Sequence, residues 1–162
     1  MAAVAARTFP LACPPWSRPE DIAAFVDAQL SPECFAAYLS DPRRAVIAAR
    51  NPDGIAGYVM VIRGVPNDDR IQRAVPLRPA VELSKLYLLT DFHGTGISAA
   101  LLDAAISAAF DWGARCIWLG ANEKNLRAVR FYRKHGFTVT GAKTFQMGSF
   151  VEDDYVMVRE LS

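Results

Sequence analysis

Residues 81–98 read Val81-Glu82-Leu83-Ser84-Lys85-Leu86-Tyr87-Leu88-Leu89-Thr90-Asp91-Phe92-His93-Gly94-Thr95-Gly96-Ile97-Ser98. A mostly apolar run of strand length passes through a short polar link into a glycine loop, and an alanine-rich helical pattern follows. Glycines let the backbone turn tightly and come close to a ligand, while the free N–H groups and positive dipole end of the next helix face the loop. Strand, loop and helix start therefore predict an anion cradle suited to a pyrophosphate. A Gly-x-Gly taken alone is ordinary turn chemistry, so the weight falls on what comes next.

A second apolar run, Arg115 to Leu119, leads into Asn122-Glu123-Lys124-Asn125-Leu126-Arg127-Ala128-Val129-Arg130-Phe131-Tyr132-Arg133-Lys134-His135-Gly136-Phe137. At helical spacing Asn125, Ala128, Val129 and Tyr132 share one face, with Gly136 as the stop. With both motifs in this order, the chain resembles the GNAT superfamily of acyl-CoA-dependent N-acetyltransferases. Their phosphate loop reads Arg/Gln-x-x-Gly-x-Gly/Ala, and a later helix carries Asn, Ala and Tyr before Gly-Phe. Gly96 stands at the central glycine position, His93 replaces Arg/Gln and Ser98 is the small last residue; Asn125, Ala128, Tyr132, Gly136 and Phe137 fit.

The resemblance spans roughly residues 20 to 162 and implies an α/β (α+β) fold with a single mixed, mostly antiparallel central sheet flanked by helices. Residues 1–162 are expected to form one domain, with 1–19 weakly specified. It implies acetyl-CoA as cosubstrate, contacted by Leu86, Tyr87, Leu88, His93, Gly94, Thr95, Gly96, Ile97, Ser98, Asn125 and Tyr132. Tyr132 is implied as the phenol that protonates the departing thiolate, and the Leu88 N–H as the donor to the developing oxyanion. Strand alternation puts Glu82 on the face of Ser84, Leu86 and Leu88, along the cofactor cleft, where it would hold the water that deprotonates the amine. His93 and His135 are read as non-catalytic.

Within that superfamily, Leu86 to Leu89, Ile117 to Gly120, Asn122 to Asn125 and Phe145 to Gly148, followed by Asp154 and Met157, are similar to the PaiA-type bacterial spermidine/spermine acetyltransferases. This implies a primary amine acceptor such as a polyamine, recognised by Glu82 and by Glu152, Asp153 and Asp154 in the terminal hairpin. Three other readings stay open or are set aside. A protein or peptide acceptor, or a non-catalytic acyl-CoA-binding module, uses the same fold. A dinucleotide fingerprint at Gly94 to Ala99 is disfavoured, because four residues separate the strand from the first glycine.

The remaining pattern predicts a first strand over Ala2 to Phe9, then prolines at 10, 14, 15 and 19. Ser17 and Glu20 suggest a capping box, Ser31-Pro32-Glu33 restarts a helix that Asp41-Pro42 ends, and Asn51-Pro52-Asp53-Gly54 closes a hairpin between 45–49 and 55–62. Residues 64–79 read as a long loop placed to gate substrate entry. The helix after the glycine loop should bury Ile97, Ala100, Leu101, Ala104, Ala105 and Ala108, and strands at 138–140, 143–147 and 155–161 end the chain. Trp112, Trp118 and Cys116 are read as core.

Composition sets the outer limits. A chain of 162 residues with net charge +1 has no basic face for nucleic acid and no charge run. Its three cysteines lack Cys-x-x-Cys spacing, so neither a zinc site nor a redox pair is expected. Met1 to Arg7 lacks the pattern of a signal peptide and no run suits a membrane span, which predicts a cytoplasmic protein. A homodimer is compatible with the sequence but not specified by it.

Overall fold

The hairpin over 45–62 forms where the Pro-Asp-Gly turn predicts it. In the computed structural model, which describes residues 1–13 and 15–162, β1 (Arg44–Asn51) pairs antiparallel with β2 (Gly54–Arg63). β2 pairs antiparallel with β3 (Ala80–Leu88), which runs parallel to β4 (Cys116–Asn122); β6 (Phe150–Glu160) joins β4 and β5 (Thr138–Met147), both antiparallel. The sheet order is β1-β2-β3-β4-β6-β5, a mixed and mostly antiparallel sheet with helices on both faces.

On one face lies α5 (Ile97–Asp111), whose Leu101, Leu102, Ala105 and Ala109 are buried against Val59, Val61, Val81 and Leu83. The buried stripe is rotated from the predicted one, since Leu102 and Ala109 point inward while Ala100 is exposed. In a run that is apolar nearly all round, pattern alone does not choose the stripe; the sheet does. α6 (Leu126–Lys134) packs on the same face through Val129, and Phe137 just beyond it is 1% exposed. Trp118 and Cys116 are buried, and Trp112 packs at the edge of this core with the Arg63 guanidinium over its ring.

The opposite face is covered by α1 (Ala2–Ala12), α2 (Pro19–Gln29), α3 (Pro32–Ser40) and α4 (Asp69–Ala74). Here three sequence expectations are corrected. Ala2 to Phe9 is helix rather than strand, as four alanines within its first five residues favour, and Val4, Ala5 and Phe9 pack on Leu30, Phe35 and Tyr58. α2 has Arg18 as its N-cap and Pro19 in its first turn, with no side-chain cap, so the Ser17–Glu20 box does not form. The long loop holds α4, capped by the Asp68 carboxylate, with Ile71 and Ala74 buried beside Trp118 and Val156, so this segment is packed rather than a free gate. α3 forms as expected, its Ser31 hydroxyl accepting the Cys34 N–H at 3.2 Å. Pro14 of the proline-rich stretch lies outside the described residues.

The last strands also run longer than predicted. β5 is continuous from Thr138, and only Gly148 and Ser149 separate it from β6, so Glu152, Asp153 and Asp154 sit within a strand and not in a turn. Among the described residues, no helix is long and apolar enough to cross a membrane.

Candidate active site

β3 and β4 pair only at Ala80–Cys116, Val81–Ile117 and Glu82–Trp118. Beyond Glu82 they separate, and the edge of β3 from Leu83 to Leu88 faces a gap. Leu89 N–H donates to Ala56 O on β2 at 2.8 Å, so by the two-residue alternation of strand hydrogen bonding the backbone groups of Leu88 and Leu86 face that gap. The Leu88 carbonyl is met there by His93 Nε2 at 3.1 Å, and among the described residues the Leu88 N–H has no hydrogen-bond partner. This role of His93 as a backbone partner had no sequence signal.

The gap opens into a cleft of about 500 Å³. β3 contributes Leu86, Tyr87 and Leu88 to its wall; the loop contributes His93, Gly94, Gly96 and Ser98; α6 and its cap contribute Asn125 and Tyr132. Two predicted contacts, Thr95 in the same loop and Ile97 at the start of α5, do not line the cleft. Gly94 and Gly96 have φ of 78° and 85°, a backbone state that L side chains rarely adopt, and it turns the chain so that α5 begins at Ile97 with its free N–H groups toward the cleft.

Asn125 N-caps α6, its Oδ1 accepting the Ala128 N–H at 3.2 Å, so the residue both starts the helix and lines the cleft. Two turns beyond Asn125, the Tyr132 ring stands edge-on to Phe131 and Phe137, with centroids at 5.3 Å and 5.7 Å. Burial pushes its phenol above the ordinary tyrosine range, and among the described residues its hydroxyl has no hydrogen-bond partner. A phenol held protonated with its O–H unspent can donate a proton. Tyr87, opposite, is likewise held protonated by burial and by its proximity to Tyr132.

Sequence reasoning missed Thr8 and Leu11 of α1, Arg127, Phe131 and Lys134 of α6, and His135 at the end of that helix, all of which line the cleft. The three basic residues were legible only as a charged helix face. The α1 pair was hidden by the expectation of a strand.

Glu82 falls elsewhere than expected. Ser84 is an extra residue in β3, because Met60 pairs with Lys85 while Val61 pairs with Leu83. The bulge reverses the alternation. Leu83 and Leu86 both face α5, whereas Glu82, Lys85 and Tyr87 share the other face, in register with Ile62, Met60 and Tyr58. Burial raises the Glu82 carboxyl above its ordinary range, an effect that Lys143, Lys85 and Arg44 partly offset. Asp154 is ion-paired with Lys143 at 3.2 Å, and Glu152 accepts hydrogen bonds from Trp16 Nε1 at 2.7 Å and Asn122 Nδ2 at 3.5 Å. No group of three His, Cys, Asp or Glu side chains among the described residues is placed to hold a metal ion.

Known proteins resemble this chain in sequence and in fold. A model of the acetyltransferase (GNAT) family matches residues 6–137. An uncharacterized N-acetyltransferase of Mycobacterium tuberculosis (strain ATCC 25618 / H37Rv) is 58% identical over 161 residues, covering 99% of this chain and 96% of the relative. Among solved structures, PaiA N-acetyltransferase from Thermoplasma acidophilum in complex with coenzyme A superposes with TM-score 0.74 at 20% identity, covering 99% and 90% of the two chains. The ribosomal-protein-S18-alanine N-acetyltransferase of Escherichia coli superposes with TM-score 0.65 at 19% identity, covering 99% and 86%.

Proposed function

The chain belongs to the acetyltransferase (GNAT) family, whose members carry out acetyl-CoA-dependent N-acetylation, and from that premise we propose how its own residues perform the transfer and to what. The observation that carries the reading is the gap between β3 and β4, with the glycine loop at one end and the Tyr132 phenol on the facing wall. Bound acetyl-CoA supplies a thioester whose carbonyl is open to attack by an amine. The exposed backbone of Leu86 and Leu88 pairs with the pantetheine arm, and the N–H groups of the loop and of the α5 N-terminus hold the pyrophosphate. Arg127 and Lys134 add cationic groups beside those phosphates, with His135 on the same wall, and Asn125 steadies the thioester arm.

The proton inventory then assigns the roles. An alkylammonium of pKa near 10.4 is only about 0.1% neutral near pH 7.4, so a proton acceptor is needed. Glu82, on the same face of β3 as Tyr87 of the cleft wall and with its carboxyl pKa raised by burial, takes that proton through water. The nitrogen lone pair forms the C–N bond while the Leu88 N–H holds the carbonyl oxygen, and the C–S bond breaks with its electrons on sulfur. Tyr132 protonates the sulfur, and the nitrogen's second proton restores the phenol through solvent. The products are amide, thiol and one released proton.

We place this activity in a single domain over 1–162, acting in the cytoplasm on a small primary amine. A polyamine acceptor is the version suggested by the sequence likeness to PaiA-type enzymes. Of the carboxylates expected to recognise it, Asp154 is ion-paired with Lys143 and Glu152 accepts hydrogen bonds from Trp16 and Asn122, while Glu82 and Asp153 have no side-chain partner among the described residues.

The test is a thiol-release assay with acetyl-CoA across an amine panel, together with thermal melts. A ligand binding only the folded state stabilises it by about 2.7 kcal/mol at a hundredfold excess over its Kd. An unchanged midpoint with acetyl-CoA beside a rise with NAD would refute the reading.

A further inference from the structure

The Ser84 bulge brings Glu82 and Lys85 to one face of β3, on the side of the sheet turned away from α5. Both side chains are partly buried, and among the described residues neither closes an ion pair; the Lys85 ammonium has only the neighbouring Ser84 hydroxyl at 3.5 Å. The two sites are about two strand steps apart, roughly 7 Å along β3, so the side chains attract each other without meeting. The charges around them are already matched. Arg44 pairs with Asp41 at 3.2 Å, and Lys143 with Asp154 at 3.2 Å. Cancelling those pairs leaves one carboxylate and one ammonium side by side, walled by Tyr38, whose ring centre lies 5.5 Å from Lys85 Nζ and 4.7 Å from the Arg44 guanidinium.

Two partly desolvated charges of opposite sign, each unpaired, carry a free-energy cost that a ligand of complementary charges removes. Desolvation moves both groups toward their neutral forms, the Glu82 carboxyl upward and the Lys85 ammonium downward. A polyamine brings only positive charge to a carboxylate already surrounded by Arg44, Lys85 and Lys143. A plain monoamine satisfies Glu82 and leaves Lys85 without a partner. An amine that also bears a carboxylate satisfies both.

We infer that the acceptor is a carboxylate-bearing primary amine of the amino-acid class, its ammonium read by Glu82 and its carboxylate by Lys85 on β3. This rests on the acetyl-transfer reading and names the acceptor for it.

The test compares matched pairs differing only in the carboxylate, ornithine against putrescine and leucine against isoamylamine, with spermidine alongside. Wild type, Lys85→Met and Lys85→Arg are assayed at low salt for kcat/KM, and ligand binding to the CoA-loaded protein is measured by calorimetry. Wild type should favour the carboxylated member of each pair by about tenfold or more; Lys85→Met should collapse that ratio and Lys85→Arg should restore it. A preference for putrescine or spermidine, or a ratio that Lys85→Met does not move, overturns the inference. Amino-acid binding that is weakened by Lys85→Met but accompanied by no transfer would sink the acetyl-transfer reading and uphold this site. Transfer to amines without discrimination would do the reverse.

Discussion

Replacing Tyr132 by Phe removes one oxygen and little else. The ring keeps its contacts with Phe131 and Phe137, and since the hydroxyl has no partner among the described residues, the fold loses no hydrogen bond and the melting midpoint should stay near wild type. The phenol is held above its ordinary pKa of 10, so at pH 8 less than about 1% is ionised and nearly every molecule carries the proton the sulfur needs. A positioned general acid contributes about 10² to 10⁴ in rate, equivalent to about 2.7 to 5.5 kcal/mol at 1.36 kcal/mol per tenfold. Turnover of Tyr132→Phe should therefore fall by that factor, while the acetyl-CoA-induced melting shift persists. The alkaline limb of the wild-type kcat profile should lie above pH 10 to the extent that Tyr132 controls it. The assay is thiol release at saturating acetyl-CoA from pH 6 to 10.5. Wild-type turnover in the mutant would refute the assignment, and loss of the melting shift would make Tyr132 a cofactor-holding residue instead.

Two further perturbations test the loop and the strand. Gly96→Val forces a β-branched residue to φ near 85°, a strained state, and should abolish the melting shift with acetyl-CoA even where the protein still folds; a shift of wild-type size would show that the loop does not hold the cofactor. For Glu82 the folded carboxyl pKa is raised, so the folded state holds the proton more tightly and stability is lost as pH climbs from the unfolded value through the folded one. Glu82→Gln should thus raise the melting midpoint at pH 7 and leave it unchanged at pH 4, while lowering turnover; a midpoint lowered at pH 7 would contradict the burial argument.

What the sequence disclosed, it disclosed through local chemistry. Gly94 and Gly96, the helical spacing of Asn125 and Tyr132, and the Pro-Asp-Gly hairpin each carry their geometry in neighbouring residues, and the loop, helix and hairpin they mark form where they were expected. The misses came from choices made by distant partners. Nothing near Ser84 signals a bulge, because the extra residue exists only relative to β2, yet it decides which way Glu82 looks. Ala2 to Phe9 has no strong period, and its helix is fixed by packing on Leu30, Phe35 and Tyr58. Arg127, Lys134 and His135 belong to the cleft because α6 lies across the open end of the sheet, which a one-dimensional reading does not show.

The three-residue contact between β3 and β4 has a mechanical side. It makes the sheet two wings, β1-β2-β3 and β4-β6-β5, riveted at one end and free at the other, with backbone amides along the free margin that no strand among the described residues meets. On the reading proposed above, a cosubstrate lying in that gap would act as a removable splint that stiffens the sheet while bound, and letting go of the spent carrier would amount to unzipping a β-ladder whose reach is limited by the length of the rivet.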